Sequence, residues 1–233
     1  MNAKLEDFLE TFFALEIVPG RKVRIPYWRN KFFKDRGRIQ GPLGGKGAPA
    51  QIKQATLKKA KESKIDLSQP SSEQIRDFMR QKRIGLDCSG FAFQVLNFLK
   101  PGFHKNLKKA EGISLNPIRR FSVRALTSNR NSQPVKKTKN IKVGDLIPVS
   151  FNDQNIDHVL VVVRAGKKEI AYAHSSRKTK ITGPHLGKIK VIDPNLGLEK
   201  QQWLEKTKGG LSLLEFACQP LKKGGVRRCL GKN

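Results

Sequence analysis

The chain has 233 residues, 37% of them apolar, enough to bury one core of domain size. Its 47 Lys and Arg face 19 Asp and Glu, and the resulting net charge of +28 implies an anionic partner or surface. Three cysteines exclude a disulfide framework, no apolar run is long enough to span a membrane, and aromatic residues, at 7%, fall mostly in apolar runs rather than in any familiar nucleic-acid module.

Residues 1–20 run against the overall charge, with four acids and one lysine, so the remainder carries +31. There Leu5, Phe8, Leu9, Phe12, Phe13 and Leu15 form the stripe of an amphipathic helix, and the lack of a basic leader and cleavage site argues against a signal peptide. Residues 19–49 are rich in Pro, Gly and basic side chains and read as loop or short strand. Gly41 to Gly47 spells G-x-x-G-G-K-G, but no strand precedes it and no Lys-Ser/Thr pair closes it, so it is not a phosphate loop. A lysine-rich surface helix is expected over 51–62. Ser71 and Gln74 offer a capping box that opens a helix through Arg80.

Asp87-Cys88-Ser89-Gly90-Phe91 follows, and Phe91, Phe93, Val95, Leu96, Phe98 and Leu99 predict a buried helix over 88–99 with Cys88 in its first turn. Unpaired N–H groups at a helix start lower a thiol pKa from about 8.5 toward 3.5–7.5, which would make Cys88 a nucleophile. Asp87 and Ser89 support the helix start, and the N–H groups of Cys88 and Ser89 could line an oxyanion hole. Residues 101–140 show no period and read as an insertion across a cleft rim; positions 100–142 hold twelve basic side chains against Glu111 alone. His104 reads as a surface residue.

Strands are expected over 145–151, 156–164, 169–174 and 189–192, and 211–217 could be helix or strand. A hairpin centred on Gly166 would put His158 opposite His174 on one face, with Cβ atoms about 4.5–5.5 Å apart. One imidazole could then take a thiol proton while the other orients it. His185, in a Gly-Pro-His-Leu-Gly stretch that reads as loop, competes for the orienting role. No Cys-x-x-Cys or His-x-x-x-His spacing is present, so neither metal nor cofactor is expected. Cys218 and Cys229 could pair in an oxidising compartment, but Cys229 falls in a basic tail, and free thiols are the reading.

Taken in order, Asp87-Cys88-Ser89-Gly90-Phe91, Val143-Gly144-Asp145-Leu146, Asp157-His158-Val159 and Ala173-His174-Ser175 resemble the NlpC and p-sixty family of cell-wall cysteine peptidases, compact relatives of papain. The match covers residues 74–194, about half of the chain. It implies a papain-like α+β fold, with the cysteine helix packed on an antiparallel sheet. It also implies Cys88 as nucleophile, His158 as base and His174 as the third polar residue. The implied substrate is an amide bond of a peptidoglycan stem peptide, between D-glutamate and a diamino acid. The implied partner is peptidoglycan or another anionic wall polymer, and the family's usual place is the cell envelope or outside the cell, although no signal peptide is visible. Tyr27 and Trp28, with the loop 41–49, are similar to the approach segment that lines the cleft in relatives. Asp157 before the base histidine and Leu160-Val161 after it depart from the family's small residue and Gly-Ile, which bears on specificity.

This reading divides the chain into an extension over 1–73, a catalytic domain over 74–200 and a basic C-terminal extension over 201–233. Two alternatives stay open: a Cys-His acyltransferase or amidase acting on a small or lipid substrate, and a non-catalytic polyanion- or nucleic-acid-binding protein on a peptidase-like core.

Overall fold

Helices dominate the first half of the chain and strands the second. The computed structural model describes residues 2–33, 37–103, 122–151, 157–216 and 225–230, with 31–33 and 37–39 as main chain only. The first half contains α1 (Ala3–Phe13), β1 (Leu15–Val18), β2 (Arg21–Val23), β3 (Lys31–Phe33), β4 (Gly37–Ile39), α2 (Pro49–Glu62), α3 (Ser72–Gln81) and α4 (Cys88–Leu99). The second half adds α5 (Val123–Thr127), β5 (Ser132–Val135), β6 (Leu146–Val149), β7 (His158–Ala165), β8 (Glu169–Ser176), β9 (Gly183–Lys190), β10 (Gln202–Trp203), α6 (Leu213–Phe216) and β11 (Val226–Cys229). Seven strands form one antiparallel sheet in the order β10-β9-β8-β7-β6-β11-β5, giving an α+β chain. None of the described helices is long and apolar enough to cross a membrane.

Local chemistry explains the helix starts. The Asn2 side chain accepts the Lys4 N–H, and Leu5, Leu9 and Phe12 bury one face of α1. Ser71 and Gln74 form the expected reciprocal box at α3. In α4 every residue from Cys88 to Phe93 is buried, as a central helix requires, and Phe91 meets the Phe12 ring of α1 edge-on at 5.1 Å.

Strand β7 is buried from His158 to Val163, which demands cover on both faces. Val159, Val161 and Val163 belong to the core shared with α1 and α4. Leu160 and Val162 belong to a second core with Tyr172, Ile189 and Trp203.

Three expectations need correction. The 183–190 stretch is not loop but strand β9, in which His185 is 3% exposed. Gly187 fits there because a Cβ would lie 2.4 Å from the Tyr172 ring. Cys229 does not sit in a free tail: β11 pairs with both β5 and β6, and Arg228 grips the buried Asp145 carboxylate through two bonds of 2.8 Å. Within the span expected as a C-terminal extension, Gln202–Trp203 and Val226–Cys229 thus enter the sheet. The β7–β8 hairpin, finally, pairs Val161 with Ala173 and Val162 with Tyr172, two residues away from the Gly166-centred register, and a bulge separates Val162 from Arg164. From Val162 toward His158 this shift of two keeps each side chain on its expected face. His104 and Cys218 lie outside the described residues.

Candidate active site

The start of α4 is braced by the glycine-rich loop. Asp87 caps the helix by accepting the Gly90 N–H at 2.7 Å, and its own N–H donates to the Gly45 carbonyl at 3.0 Å. A Cβ on Gly90 would stand 2.2 Å from the Gly45 oxygen, so only glycine admits this approach. Lys46, 7% exposed, donates from Nζ to Asp87 Oδ1 at 2.7 Å and also to Ser89 Oγ. The loop is therefore a clamp on the helix start.

Pro26 to Trp28 run alongside. The Leu86 N–H donates to the Pro26 carbonyl at 3.0 Å; the Trp28 ring stands against Gly41, and the Pro26 carbonyl and Trp28 Cβ stand against Gly85, where a Cβ would go. Trp28 Nε1 is buried without a hydrogen-bond partner among the described residues. Burial raises the Tyr27 phenol pKa, and the neighbouring Cys88 and Asp87 add to the rise. Tyr27 therefore senses the site directly, whereas Trp28 packs behind it.

The Cys88 thiol is 5% exposed and donates to the Asp157 carbonyl at 3.8 Å. The β7–β8 ladder begins at Val161–Ala173, and α4 starts in the gap ahead of it. On the other side of that gap Ser175 Oγ donates to the Leu86 carbonyl at 2.7 Å. The sulfur thus rests against the main chain that flanks His158.

The sulfur is not an activated thiolate in this state. Burial pushes its pKa up to about 12 and the Asp87 carboxylate adds to the rise; Lys46 and the N–H groups of Val159 and Ser89 pull the other way. The expected lowering fails because burial of the sulfur outweighs the pull of the helix start, and the capping Asp87 adds a negative charge beside it.

The histidines occupy the opposite face of the sheet from α4, beside Leu160, Val162 and Tyr172. His158 Nε2 and His174 Nδ1 are 2.8 Å apart, a diagonal contact across the shifted register. His174 Nε2 is 3.0 Å from Glu205 Oε1, and Tyr172 donates its hydroxyl to Glu205 Oε2 at 2.6 Å. His185, directly opposite His174 on β9, brings Nε2 within 2.6 Å of the same Glu205 Oε1.

Burial lowers the pKa of His158 well below 6.5, with His174 adding to the fall and Glu205 opposing it. Burial lowers His174 as well, again against the pull of Glu205. Burial alone would raise Glu205, but the hydrogen bonds and charge of His174 and His185 hold it well below the usual carboxylate range.

These acceptors fix the tautomers. Ionised Glu205 accepts only, so His174 carries its hydrogen on Nε2 and its lone pair on Nδ1. His158 must then donate from Nε2, which leaves its own lone pair on Nδ1, the ring nitrogen nearer the main chain. Phe151 and Phe216 wall this side, their rings 5.4 Å apart, with Phe151 5.1 Å from the His158 ring.

No family model, curated protein or solved structure matches the chain. The structure gathers Asp87, Ser89 and Tyr27 around Cys88, and it joins His158 and His174 with Glu205 and His185 in a second cluster on the other face of the sheet. No hydrogen bond links the Cys88 sulfur to either imidazole, so the expected Cys88–His158 pair is not formed directly. Tyr172 and His174 carried the signal for Glu205: two polar side chains two residues apart on an otherwise apolar strand require an acceptor on their shared face.

Proposed function

We propose that the protein is a thiol-dependent hydrolase of amide bonds, with Cys88 as nucleophile, His158 as general base and His174 as its orienter. The observation that supports this reading best is the hydrogen-bonded series Glu205–His174–His158, which ends at the residue whose main-chain neighbours, the Asp157 carbonyl and the Val159 N–H, meet the Cys88 sulfur. Proton transfer requires the His158 ring to reach through the open head of β7. Thiol and imidazole rest uncharged. When a substrate carbonyl arrives, Sγ attacks its carbon while the thiol proton passes to His158 Nδ1, and the N–H groups of Cys88 and Ser89 receive the developing oxyanion. The positive charge on His158 is stabilised through His174 by the Glu205 carboxylate. His158 returns the proton to the leaving amine, and a water deprotonated by the same ring releases the thioester.

The family resemblance carries this reading to papain-like architecture and to stem-peptide amides of peptidoglycan. The net charge of +28 supports concentration on an anionic wall polymer. Digestion of purified wall by the protein and by Cys88→Ala, with mass analysis of the fragments, tests the reading. New amines released only by the unaltered chain uphold it; equal inertness of both on wall and peptide substrates refutes it. The buried thiol and the Phe151–Phe216 wall also favour a second reading, acyl transfer to an amine, which transfer products with added amine would reveal.

A further inference from the structure

His185 cannot be satisfied by its neighbours as an ordinary neutral imidazole. Its Nδ1 faces the Gly183 carbonyl at 2.8 Å, and its Nε2 faces the Glu205 carboxylate at 2.6 Å. The remaining neighbour of Nε2 is Thr179 Oγ1 at 3.3 Å, whose hydrogen is already given to the Ile181 carbonyl at 2.8 Å. Every group facing the ring accepts, so the space between Nε2 and Glu205 is one that a shared cation would suit.

The surroundings suit a cation. His174 Nε2, His185 Nε2 and one Glu205 oxygen all lie within 4.8 Å of one another, and the two imidazoles are directly opposed on β8 and β9 with ring centroids 4.3 Å apart. The outer contacts are those that metal ligands need: His185 Nδ1–H on a carbonyl, and the Tyr172 hydroxyl on the other Glu205 oxygen at 2.6 Å. Tetrahedral zinc sets its ligand atoms about 3.3 Å apart, so the Glu205 oxygen must draw back by roughly half an ångström, within reach of a side-chain rotation.

We propose that His174, His185 and Glu205 form a binding site for Zn²⁺ or a similar divalent transition metal, and that its occupation switches the catalytic histidines into the wrong tautomer. The switch follows from proton placement. Metal on His174 Nε2 takes the lone pair there, so the hydrogen moves to Nδ1 and is donated to His158 Nε2. The His158 hydrogen then sits on Nδ1, and no lone pair remains to receive the thiol proton. His185 binds through Nε2 and keeps its hydrogen on Nδ1, donated to the Gly183 carbonyl. The inhibitory half rests on the proposed pairing of Cys88 with His158; the site itself does not.

Co²⁺ titration of the metal-stripped full-length chain carrying Cys88→Ala tests the site without a thiol at position 88. The expected result is one saturable equivalent with visible d–d absorption, no thiolate charge-transfer band, displacement by Zn²⁺, and loss of the signal in His185→Asn. No saturable binding by the folded Cys88→Ala chain, or binding unaffected by His185→Asn, overturns the site. Imidazole ¹⁵N spectra of the Cys88→Ala chain test the switch: Zn²⁺ should move the hydrogens of His158 and His174 from Nε2 to Nδ1, and unchanged tautomers overturn it. Neither readout needs a substrate, so metal binding by a chain that hydrolyses no amide would sink the hydrolase reading and leave the site standing.

Discussion

Glu205→Gln perturbs the proposed mechanism at the point farthest from the sulfur. The carboxylate accepts from His174 at 3.0 Å, from His185 at 2.6 Å and from the Tyr172 hydroxyl at 2.6 Å, all in a buried setting. A hydrogen bond to a charged group contributes about 1.5–3 kcal/mol, against about 0.5–1.5 for a neutral pair. The two imidazole bonds should therefore lose about 2–3 kcal/mol of stability together, lowering Tm by about 4–12 °C for a chain of this size. The amide can also turn its NH₂ toward His174 Nε2, which reverses both tautomers and leaves His158 unable to accept a proton.

If the charged bond of about 1.5–3 kcal/mol is what holds the productive tautomer and its imidazolium, kcat falls about 10–100-fold while KM changes little. The pH profile gives an independent sign. Glu205 raises the pKa of His158 and of His174, so its loss must move the acid limb of kcat/KM to lower pH. Steady-state kinetics on a released-amine substrate, with scanning calorimetry for stability, measure all three effects. An unchanged kcat with altered KM, or an acid limb that moves up, would refute the relay.

Lys46→Met should destabilise by about 3–5 kcal/mol, because it strips the buried Asp87 carboxylate of its ion pair, and Lys46→Met with Asp87→Asn should recover part of that loss in urea unfolding. Full stability of the single variant would mean that the clamp contributes nothing. The resting Cys88 thiol, pushed up to about 12, should react with iodoacetamide far more slowly than free cysteine at pH 8, its rate still climbing above pH 9; a labelling plateau near neutrality, read by peptide mass mapping, would show a thiolate instead. Stability should decline as pH falls below 6.5, since the unfolded chain binds protons on His158 and His174 that the folded chain refuses, with a slope of up to about 2.7 kcal/mol per pH unit. Below 4.5 the depressed Glu205 adds to the loss, so a flat urea midpoint from pH 7 to 5 would contradict the buried neutral pair.

Features set by neighbouring residues were legible in the sequence. The cap at Asp87, the box at Ser71 and Gln74 and the stripe of α1 are local, and each stands where its pattern put it. The shared face of His158 and His174 was legible because strand parity survives a shift of two, although the bulge beyond Val162 changed the register itself. Long-range partners were not legible. β9 looks like loop until the Tyr172 ring is seen to require Gly187, and Glu205 joins His174 across 31 residues. The basic tail looked solvated, yet Arg227 bonds to Ser132 and Arg228 to Asp145 inside the sheet. Part of the +28 charge is therefore structural and adds less to any polyanion-binding field than its count suggests.

The sheet itself sets the problem that the proposed mechanism must solve. The helix that carries Cys88 packs against Val159, Val161 and Val163, whereas His158 and His174 project from the other face beside Leu160, Val162 and Tyr172. A thiol and an imidazole so placed can share a proton only where the β7–β8 ladder has not yet closed. The bond from Ser175 to the Leu86 carbonyl holds one side of that gap, and the contact of the sulfur with the Asp157 carbonyl holds the other. Position 157 is also where the chain departs from the NlpC-type pattern: the Asp157 side chain accepts the Phe151 N–H at 3.0 Å and ties the head of β7 to the aromatic wall. The departure thus bears on the width of the gap, and hence on which acyl groups would reach the sulfur in the proposed reaction, more than on the proposed proton path from Cys88 toward Glu205.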